Sequence, residues 1–440
     1  MTIILRVLTV LLVPLLAFGH WQRAPDVGSL SAPDPISQNV SVEPLPLQVF
    51  CPGAMVEVGG ESGVDLGSVE RVGEVLISLS SNSEALLVSP EPTSTSGAGA
   101  VASDPDQSTN LLAMVQTQAI ERERAAGLSA TYCQKPTSSG WLTNGSSTVG
   151  NESVLIAANP NEVEALVDIE FHLPSGVVSD RFALAGGEQK LITSAQYANG
   201  EEAFAVFFKT SGPEISMALQ NRKTRGLSPV GIELEGVSPN PGTNLIFVGL
   251  QDLTEGFENP ELRIYNPGQD VAEVVLSIFA EDNVDLYRQF VAGGEFSSLD
   301  FKIGSGYQLA TLSSSTEVLA SISNPSTKNI LDFAWLQPAE LFSSITLPLT
   351  SYRNTILVAN PEATAIELRV ETKTGDRIDV QNLVVAPFSK LAIPSAAQSV
   401  KLDSTSQFAV ALEVLDKNGY SLIHPRENAN LGNDLTILVN

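Results

Sequence analysis

Apolar and polar residues alternate one by one in three separate runs of the chain. The runs cover residues 165–171, 272–278 and 365–370, and each begins with alanine. An alternation with a period of two places apolar side chains on one face of a β-strand and polar side chains on the other. We therefore predict three amphipathic strands, each with one buried face.

A strand and a turn precede each of these runs and mark an internal repeat. Mostly apolar segments at residues 155–158, 262–265 and 356–359 are each followed by Asn-Pro. Proline lacks an amide N–H and asparagine tolerates turn geometry, so the pair ends one strand and begins a bend. The copies lie about 100 residues apart, which is the length of an immunoglobulin domain. The six turn residues are Asn159, Pro160, Asn266, Pro267, Asn360 and Pro361.

The predicted fold is all-β, with tandem immunoglobulin-like antiparallel β-sandwiches. Short apolar runs separated by Gly, Pro, Asn and Ser are typical of this class. We assign three sandwiches to residues 146–245, 246–345 and 346–440, and a disulfide-stapled β domain to residues 50–145. Within that β domain, residues 111–126 fit a strand better than a helix, with Gln116 and Gln118 on its exposed face.

The first 49 residues predict export. The apolar run at residues 7–18, after Arg6, suits a signal peptide with small residues Ala17 and Gly19 before a cleavage point. The wider segment up to residue 21 also fits an uncleaved membrane-anchor helix. Residues 1–21 are therefore predicted to be a signal peptide or anchor helix, and residues 22–49 a Pro/Ser-rich tether. Either alternative places the rest of the chain outside the cytoplasm, secreted or attached to the cell membrane.

The charge of the chain argues against nucleic acid as a partner. Fifty acidic residues against 24 basic ones give a formal net charge of −26, spread along the whole sequence. A polyanion would be repelled over most of such a surface. Residues 222–225 form the one basic cluster. We interpret it as a solvated turn, with a contact to anionic lipid or glycan as the alternative.

Cys51 and Cys133 are the chain's two cysteines, and in an exported chain the pair predicts one disulfide. The histidines, His20, His172 and His424, are too few for a Cys/His zinc site. We expect each of them to have a structural or solvent-exposed role.

No catalytic, cofactor-binding or metal-binding residue is predicted. The sequence contains no P-loop, no dinucleotide-binding glycine turn, no Gly-x-Ser-x-Gly elbow and no His-Glu-x-x-His. Adjacent acids such as Glu201 and Glu202 point to opposite faces of an extended chain and are expected to be solvated. Calcium bound between modules, for example by Asp104 and Asp106, is a weaker alternative.

Trp141 and Trp335 are the candidate residues for a binding surface. Each lies beside a leucine in an apolar context. Such a residue commonly belongs to a sandwich core or a domain junction. The functional alternative is an exposed aromatic platform for a glycan or a protein partner.

The chain resembles a family of secreted actinobacterial proteins of unknown function. The resemblance lies in Cys51-Pro-Gly, in Thr-Tyr-Cys133 followed by Pro136, Trp141 and Gly145, and in the strand that ends at Asn159-Pro160. The family resemblance implies a signal-bearing or singly anchored protein without an established activity. Genes of the family tend to lie near a large membrane glycosyltransferase, which implies a connection with envelope polysaccharide. The stretch around Trp141 is less aromatic here than is common in the family.

Together these observations predict a non-catalytic extracytoplasmic binding or scaffold protein of the bacterial cell envelope. An accessory role in polysaccharide or glycoconjugate assembly fits the family resemblance, with an envelope protein or a glycan as partner. The membrane would be contacted through the N-terminal segment if that segment is uncleaved. A glycan-active enzyme and a purely structural spacer are the alternatives, and the step from fold to function is associational.

Overall fold

The computed structural model describes residues 36–41, 47–59, 69–80, 86–88, 101–104, 112–250, 259–281, 283–303, 306–325, 331–417, 419–427 and 434–439. These residues fall into two compact units. The first unit, Met1–Pro44 with Leu431–Asn440, contains an antiparallel pair of strands, β1 (Ile36–Ser41) and β32 (Asp434–Val439). The predicted N-terminal helix lies outside the described residues, and β1 falls inside the predicted tether.

The second unit, Leu45–Asn430, begins with an all-β region that the disulfide staples. Its strands are β2 (Leu47–Phe50), β3 (Met55–Val58), β4 (Val69–Val72), β5 (Leu76–Ser80), β6 (Leu86–Val88), β7 (Val101–Asp104), β8 (Ala113–Glu121) and β9 (Ala126–Tyr132). They form the sheets β2-β7-β6 and β5-β8-β9 and the hairpin β3-β4. The predicted disulfide is confirmed, because Cys51 is bonded to Cys133 with 4.5 Å between their Cα atoms.

Residues 111–126 contain strand β8, but the expected exposure of its glutamines is wrong. Gln116 and Gln118 are almost fully buried. Their side-chain oxygens accept hydrogen bonds from the backbone N–H groups of Gly53 and Met55 at 2.9 and 3.1 Å. A buried amide is stable only when it is hydrogen-bonded, and these two hold the β3 segment against β8.

Three sandwiches follow, and the first is built from eight strands. They are β10 (Ser139–Gly145), β11 (Asn151–Ala158), β12 (Ala165–Leu173), β13 (Gly176–Leu184), β14 (Gln189–Thr193), β15 (Phe204–Ser211), β16 (Ser216–Arg225) and β17 (Ser228–Glu235), with a 3₁₀ helix at Ser194–Gln196. The two antiparallel sheets have the orders β10-β15-β12-β13 and β14-β11-β16-β17. Alternate residues of β12 are buried between them, as the period-two pattern predicts.

The second and third sandwiches repeat this pairing. The second contains β18 (Gly242–Phe247), β19 (Glu261–Tyr265), β20 (Ala272–Ala280), β21 (Val284–Val291), β22 (Phe296–Asp300), β23 (Tyr307–Pro325) and β24 (Phe333–Leu336). The third contains β25 (Leu341–Pro348), β26 (Arg353–Asn360), β27 (Ile366–Thr374), β28 (Arg377–Val385), β29 (Ser389–Ser395), β30 (Ser399–Leu415) and β31 (Tyr420–Ile423). In each, one long strand, β23 or β30, takes part in both sheets. In the first sandwich Gly212 and Pro213 interrupt that strand, and proline removes a donor from the ladder.

The repeated asparagine has a structural role beyond ending a strand. Asn159, Asn266 and Asn360 are at most 1% exposed. The Nδ2 group of Asn266 donates to the carbonyls of Asp270 and Val291 at 2.7 and 3.0 Å, and its Oδ1 accepts from the N–H of Gly268. The other two asparagines make the equivalent bonds. Each one therefore ties its own turn to the end of a distant strand.

The three sandwiches are not independent domains, because strands from all of them meet at one buried centre. Strands β9, β17, β24 and β31 pack side by side around it. The Oδ2 atom of Asp332 accepts hydrogen bonds from the backbone N–H groups of Leu128 and Tyr420 at 2.9 and 3.1 Å. Asp332 lies just before β24, so one carboxylate joins the N-terminal region, the second sandwich and the third.

Close approach at this centre requires glycine. A Cβ atom on Gly231 of β17 would lie 2.4 Å from Asp332 Oδ1, and one on Gly419 would lie 2.3 Å from Oδ2. Nearby, Ser421 donates to Glu233 Oε1 at 2.8 Å and accepts from the N–H of Ala130. Burial raises the pKa of both Glu233 and Asp332 well above the ordinary range.

Replacing Asn266 by alanine should destabilise the larger unit. Two carbonyls and one N–H would lose their partner in a buried turn, which is expected to cost about 2–4 kcal/mol. Urea unfolding should show a lower midpoint for Asn266→Ala, while the exposed Asn199→Ala should leave it unchanged. Equal midpoints for the two variants would show that the turn asparagine has no such role.

Asp332→Ala should destabilise the chain at least as strongly. Its loss leaves the N–H groups of Leu128, Phe333 and Tyr420 without their acceptor. The expected cost is about 3 kcal/mol or more, because each buried unsatisfied donor costs about 1–3 kcal/mol. The exposed Asp300→Ala is the matched control in the same denaturant titration. An unchanged midpoint for Asp332→Ala contradicts the assignment of this carboxylate as the central tie.

Candidate functional site

A cleft of about 490 Å³ lies where the first sandwich meets the second, and we call it the junction cleft. Asn144 and Asn221 line it from the first sandwich. Arg263, Phe296 and Trp335 line it from the second. Its remaining surface is mainly Ser, Thr, Asn and Glu side chains, so the junction cleft is polar and rich in hydrogen-bonding groups.

The junction cleft occupies a sheet face that is covered in the other two sandwiches. On that face the central strands carry three equivalent cross-strand pairs: Ile156 with Ala218, Arg263 with Ser321, and Leu357 with Ala411. Ile156 packs against the N-terminal region, and Leu357 packs against the second sandwich. Only the middle pair is polar. This difference is visible in the sequence, since Arg263 stands at a strand position where the other two copies have an aliphatic residue.

The guanidinium of Arg263 is held at the base of the junction cleft with part of its hydrogen-bonding capacity unused. Its side chain is 12% exposed, and its Cζ atom lies 4.8 Å from the ring centre of Trp335. One terminal nitrogen donates to the carbonyl of Gly145 at 3.4 Å, and the other lies 3.9 Å from Glu261. The Nε atom is buried and has no hydrogen-bond partner. Burial lowers the pKa of Arg263, and nearby Glu261 and Glu235 oppose that shift.

A buried polar network supports the wall of the junction cleft. Glu235 accepts hydrogen bonds from the side-chain amides of Asn144 at 2.6 Å, Asn221 at 2.9 Å and Gln337 at 3.2 Å. Ser321 in turn donates to the oxygen of Asn144. Burial raises the pKa of Glu235 to about 7, against the effect of the amide donors. The two wall asparagines are therefore fixed in orientation from behind.

Both candidate tryptophans lie at this junction, and neither is an exposed platform. Trp335 is 8% exposed and lies beneath Arg263. Trp141 is half-buried in a cluster of rings, 4.9 Å from His172 and Phe207 and 6.0 Å from Tyr265. The hydroxyl of Tyr265 lies 2.7 Å from Nδ1 of His172. The tryptophans therefore join two sandwiches, and only Trp335 lines the junction cleft.

The basic cluster at residues 222–225 is only partly a solvated turn. Arg222 is 8% exposed, forms an ion pair with Glu152 and donates to the carbonyl of Arg124 at 3.1 Å. Arg225 is exposed at the tip of the β16–β17 hairpin. Residues around Arg222 and Glu152 line both the junction cleft and a wider, open cleft of about 890 Å³, which we call the outer cleft.

Other candidate chemistry is not assembled in the part of the chain that the structure describes. No group of three or more His, Cys, Asp or Glu side chains there is placed to hold a metal ion. His424 is buried against the carbonyl of Val248, and burial lowers its pKa to about 4. His20, Asp106 and the N-terminal segment lie outside the described residues. In the described part of the chain, no helix has the length and hydrophobicity to cross a membrane.

Glu235 should make stability fall as the pH rises. Its pKa is about 7 in the folded chain against an ordinary value of 4.5. The folded state therefore favours the protonated form of Glu235. Between pH 4.5 and pH 8, the free energy of unfolding of the unmodified chain should fall by up to about 3 kcal/mol relative to that of Glu235→Gln. Urea midpoints of the two proteins, measured at each pH, give this difference. His424 destabilises the folded state as the pH falls below 6.5, and it cancels in the comparison.

Ser298→Ala is the control, since it removes a non-titrating side chain from the junction cleft. Its midpoint should differ from that of the unmodified chain by the same amount at every pH. A constant difference between Glu235→Gln and the unmodified chain would rule out titration of Glu235 in this range.

Two solved structures bear a distant likeness to this chain. The tetra-tandem repeat in the extending region of a large adhesion protein is 10% identical, over 88% of this chain and 93% of that one, with a TM-score of 0.13. The chicken CNTN1 FN1–FN3 domains are 14% identical, over 65% and 95% of the two chains, with a TM-score of 0.11. At these TM-scores neither likeness carries an argument about fold or function.

No curated protein matches the chain. A family model does match, over residues 90–396. That span begins within the disulfide-stapled region and ends in the third sandwich, so it contains every residue named above as lining the junction cleft. Because the match covers more than half of the 440 residues, the chain belongs to DUF5719, a family of unknown function.

Proposed function

We propose that this chain is a non-catalytic extracytoplasmic binding protein of the bacterial cell envelope, and that it holds a glycan segment in the junction cleft. One observation carries the proposal. The equivalent sheet face is apolar and covered in the first and third sandwiches, whereas in the second it carries Arg263 and Ser321 and stays partly open. A polar, buried position that departs from its own repeat is better explained by binding than by packing.

The chemistry of the junction cleft suits a sugar chain. Hydroxyl, carboxylate and guanidinium groups line it, and the exposed ones, such as the hydroxyl of Ser298, can donate to and accept from the hydroxyl groups of a sugar. Phe296, stacked on Tyr265 with 4.5 Å between ring centres, adds an apolar surface at the edge. The guanidinium of Arg263, which has one terminal nitrogen 3.9 Å from Glu261, adds a charged donor at the base of the cleft.

An extracytoplasmic setting is supported by two features. The Cys51–Cys133 disulfide is typical of oxidising compartments. The apolar N-terminal segment fits a signal peptide or an anchor. We propose an actinobacterial envelope as the wider setting, with an accessory role in polysaccharide or glycoconjugate assembly. The three sandwiches, immunoglobulin-like in this proposal, would then act as a rigid scaffold for the binding face.

Binding is favoured over hydrolysis of a glycan because of where the acids lie. A glycosidase needs a protonated carboxyl group in reach of the scissile bond. The carboxyls whose pKa burial raises, Glu233, Glu235 and Asp332, lie at the centre or behind the cleft wall. Three acids line the cleft: Glu152 is paired with Arg222, Glu261 lies 3.9 Å from Arg263, and Glu202 is the third. A glycan-active enzyme therefore remains the second candidate.

Filling the junction cleft should abolish ligand binding. Ser298 is exposed and lies opposite Arg263 in the β19–β22 pair, so Ser298→Trp places a large ring over the cleft. Ala392 has the same register position in the third sandwich, and it is also exposed. Ala392→Trp is therefore the matched control. On an array of purified bacterial envelope glycans, we expect Ser298→Trp to lower affinity by about tenfold or more and Ala392→Trp to leave it within about twofold.

Arg263→Leu provides a second variant, because it introduces the residue type that the third sandwich carries. Its free energy of unfolding in urea should stay within about 1 kcal/mol of that of the unmodified chain, yet it should lose glycan binding. If the unmodified chain binds no glycan on the array, or if Ser298→Trp and Ala392→Trp bind equally well, the junction cleft is not a glycan site.

A further inference from the structure

The junction cleft and the outer cleft share one stretch of wall. The shared residues lie in the turn before β11, at the start of β11 and at the end of β16, where these two strands pair. They are Thr148, Asn151, Glu152, Ser153 and Arg222. Because the same side chains border both spaces, the two clefts are continuous across this stretch. We call the two clefts together the long groove.

The long groove passes over three parts of the larger unit. Phe296 and Ser298 of the second sandwich line it on the side of the junction cleft. Val58 and Glu123 of the N-terminal region line it on the side of the outer cleft. The shared stretch, which belongs to the first sandwich, borders both sides. Ligand sites form preferentially at such boundaries between domains.

The shared stretch is fixed by hydrogen bonds within the first sandwich. The backbone N–H of Asn151 donates to the carbonyl of Thr148 at 2.9 Å, and its side-chain amide donates to the hydroxyl of Thr148 at 2.8 Å. The hydroxyl of Ser153 accepts from the N–H of Ser146 at 2.9 Å. A ligand that crosses this stretch therefore meets a preformed surface, and little binding energy is lost in ordering the protein.

The formal charges along the long groove balance, although the whole chain has a net charge of −26. Among the described residues, four acidic and four basic side chains line it. They are Glu123, Glu152, Glu202 and Glu261, with Arg124, Arg222, Lys223 and Arg263. A wall without net charge neither attracts nor repels a charged polymer as a whole. The long groove therefore suits an uncharged ligand.

The size of the long groove indicates a ligand longer than one small molecule. The junction cleft has a volume of about 490 Å³ and the outer cleft one of about 890 Å³. A single site for a drug-sized ligand has about 300–1,000 Å³. Each cleft can therefore hold a segment of a few sugar units, and the two together can hold a longer chain.

We propose that the long groove binds one uncharged, linear polysaccharide chain, with one segment in the junction cleft and the adjoining segment in the outer cleft. This inference rests on the glycan binding proposed above, and it adds a second subsite and the charge class of the ligand. Once the first segment is bound, the second is held near its own cleft at a high effective concentration. Affinity therefore increases with the number of sugar units until both clefts are filled.

The dependence of affinity on ligand length tests this proposal in the full chain. Linear homopolymers of glucose, mannose and galactose, each with two, four or eight units, are the probes, and titration calorimetry gives their Kd. For the polymer that binds, we expect eight units to bind at least about tenfold more tightly than two. An eight-unit fragment of the same polymer with oxidised, carboxylate-bearing units should bind no more tightly than the uncharged fragment.

Ala195→Trp tests the outer cleft separately. Ala195 is exposed in the 3₁₀ helix and lines the outer cleft but not the junction cleft. The added ring should lower the affinity for eight units by about tenfold and leave that for two units within about twofold. The next residue, Gln196, is also exposed and lines neither cleft, so Gln196→Trp is the matched control and should change neither affinity. Ser298→Trp should lower both affinities.

The second subsite is overturned if two and eight units bind equally well, or if Ala195→Trp and Gln196→Trp bind eight units equally well, while Ser298→Trp still abolishes binding. That result leaves glycan binding in the junction cleft intact. If no probe of any length binds, or if Ser298→Trp has no effect, the proposed function fails together with this inference. Tighter binding of the carboxylate-bearing fragment contradicts an uncharged ligand. If Ala195→Trp lowers the urea midpoint, Asn199→Trp replaces it, since Asn199 is exposed and lines the outer cleft alone.

Discussion

The carboxylate of Asp332 is the constraint on which the arrangement of the larger unit depends. It accepts hydrogen bonds from backbone N–H groups of the N-terminal region and the third sandwich, and it lies at the start of a strand of the second. A buried carboxylate is tolerated only when such donors surround it. Gly231 and Gly419 leave the space that it needs. Three sandwiches that could each form a core are in this way fixed around one polar centre.

The candidate site follows from the same arrangement. Each sandwich uses one side of its central strands for its own core and the opposite side for contact with the preceding part of the chain. Among the described residues, the central cross-strand pair on that side is polar in the second sandwich alone, where Arg263 is paired with Ser321 and Arg263 lines the junction cleft. The junction cleft is therefore a local departure from a repeated packing rule. Glu235 lies behind the wall of the cleft and accepts hydrogen bonds from Asn144 and Asn221, so it fixes the orientation of these two wall residues.

The sequence predicted the all-β class, the disulfide and the strands after each Asn-Pro, because these depend on local periodicity and residue type. It did not predict the polar centre, since Asp332, Leu128 and Tyr420 are distant along the chain and no local pattern links them. Gln116 and Gln118 were expected to be exposed because an alternating polar residue usually is. They are buried because the segment at Gly53 needs their amides as partners. Arg263 was visible in the sequence only by aligning the three copies.

The residues that meet at the polar centre are far apart in the sequence, and this affects when the chain can complete its folding. Ala130 and Ser421, which are hydrogen-bonded there, are separated by 291 residues. A ribosome produces the N-terminal partner first, so the N–H groups of Leu128 and Ala130 in β9 can reach their acceptors, Asp332 and Ser421, only after much of the chain has been synthesised. Contacts so distant along the chain are slow to form. Assembly of the larger unit is therefore completed late, and a chain truncated before β31 would lack the partners that close the centre.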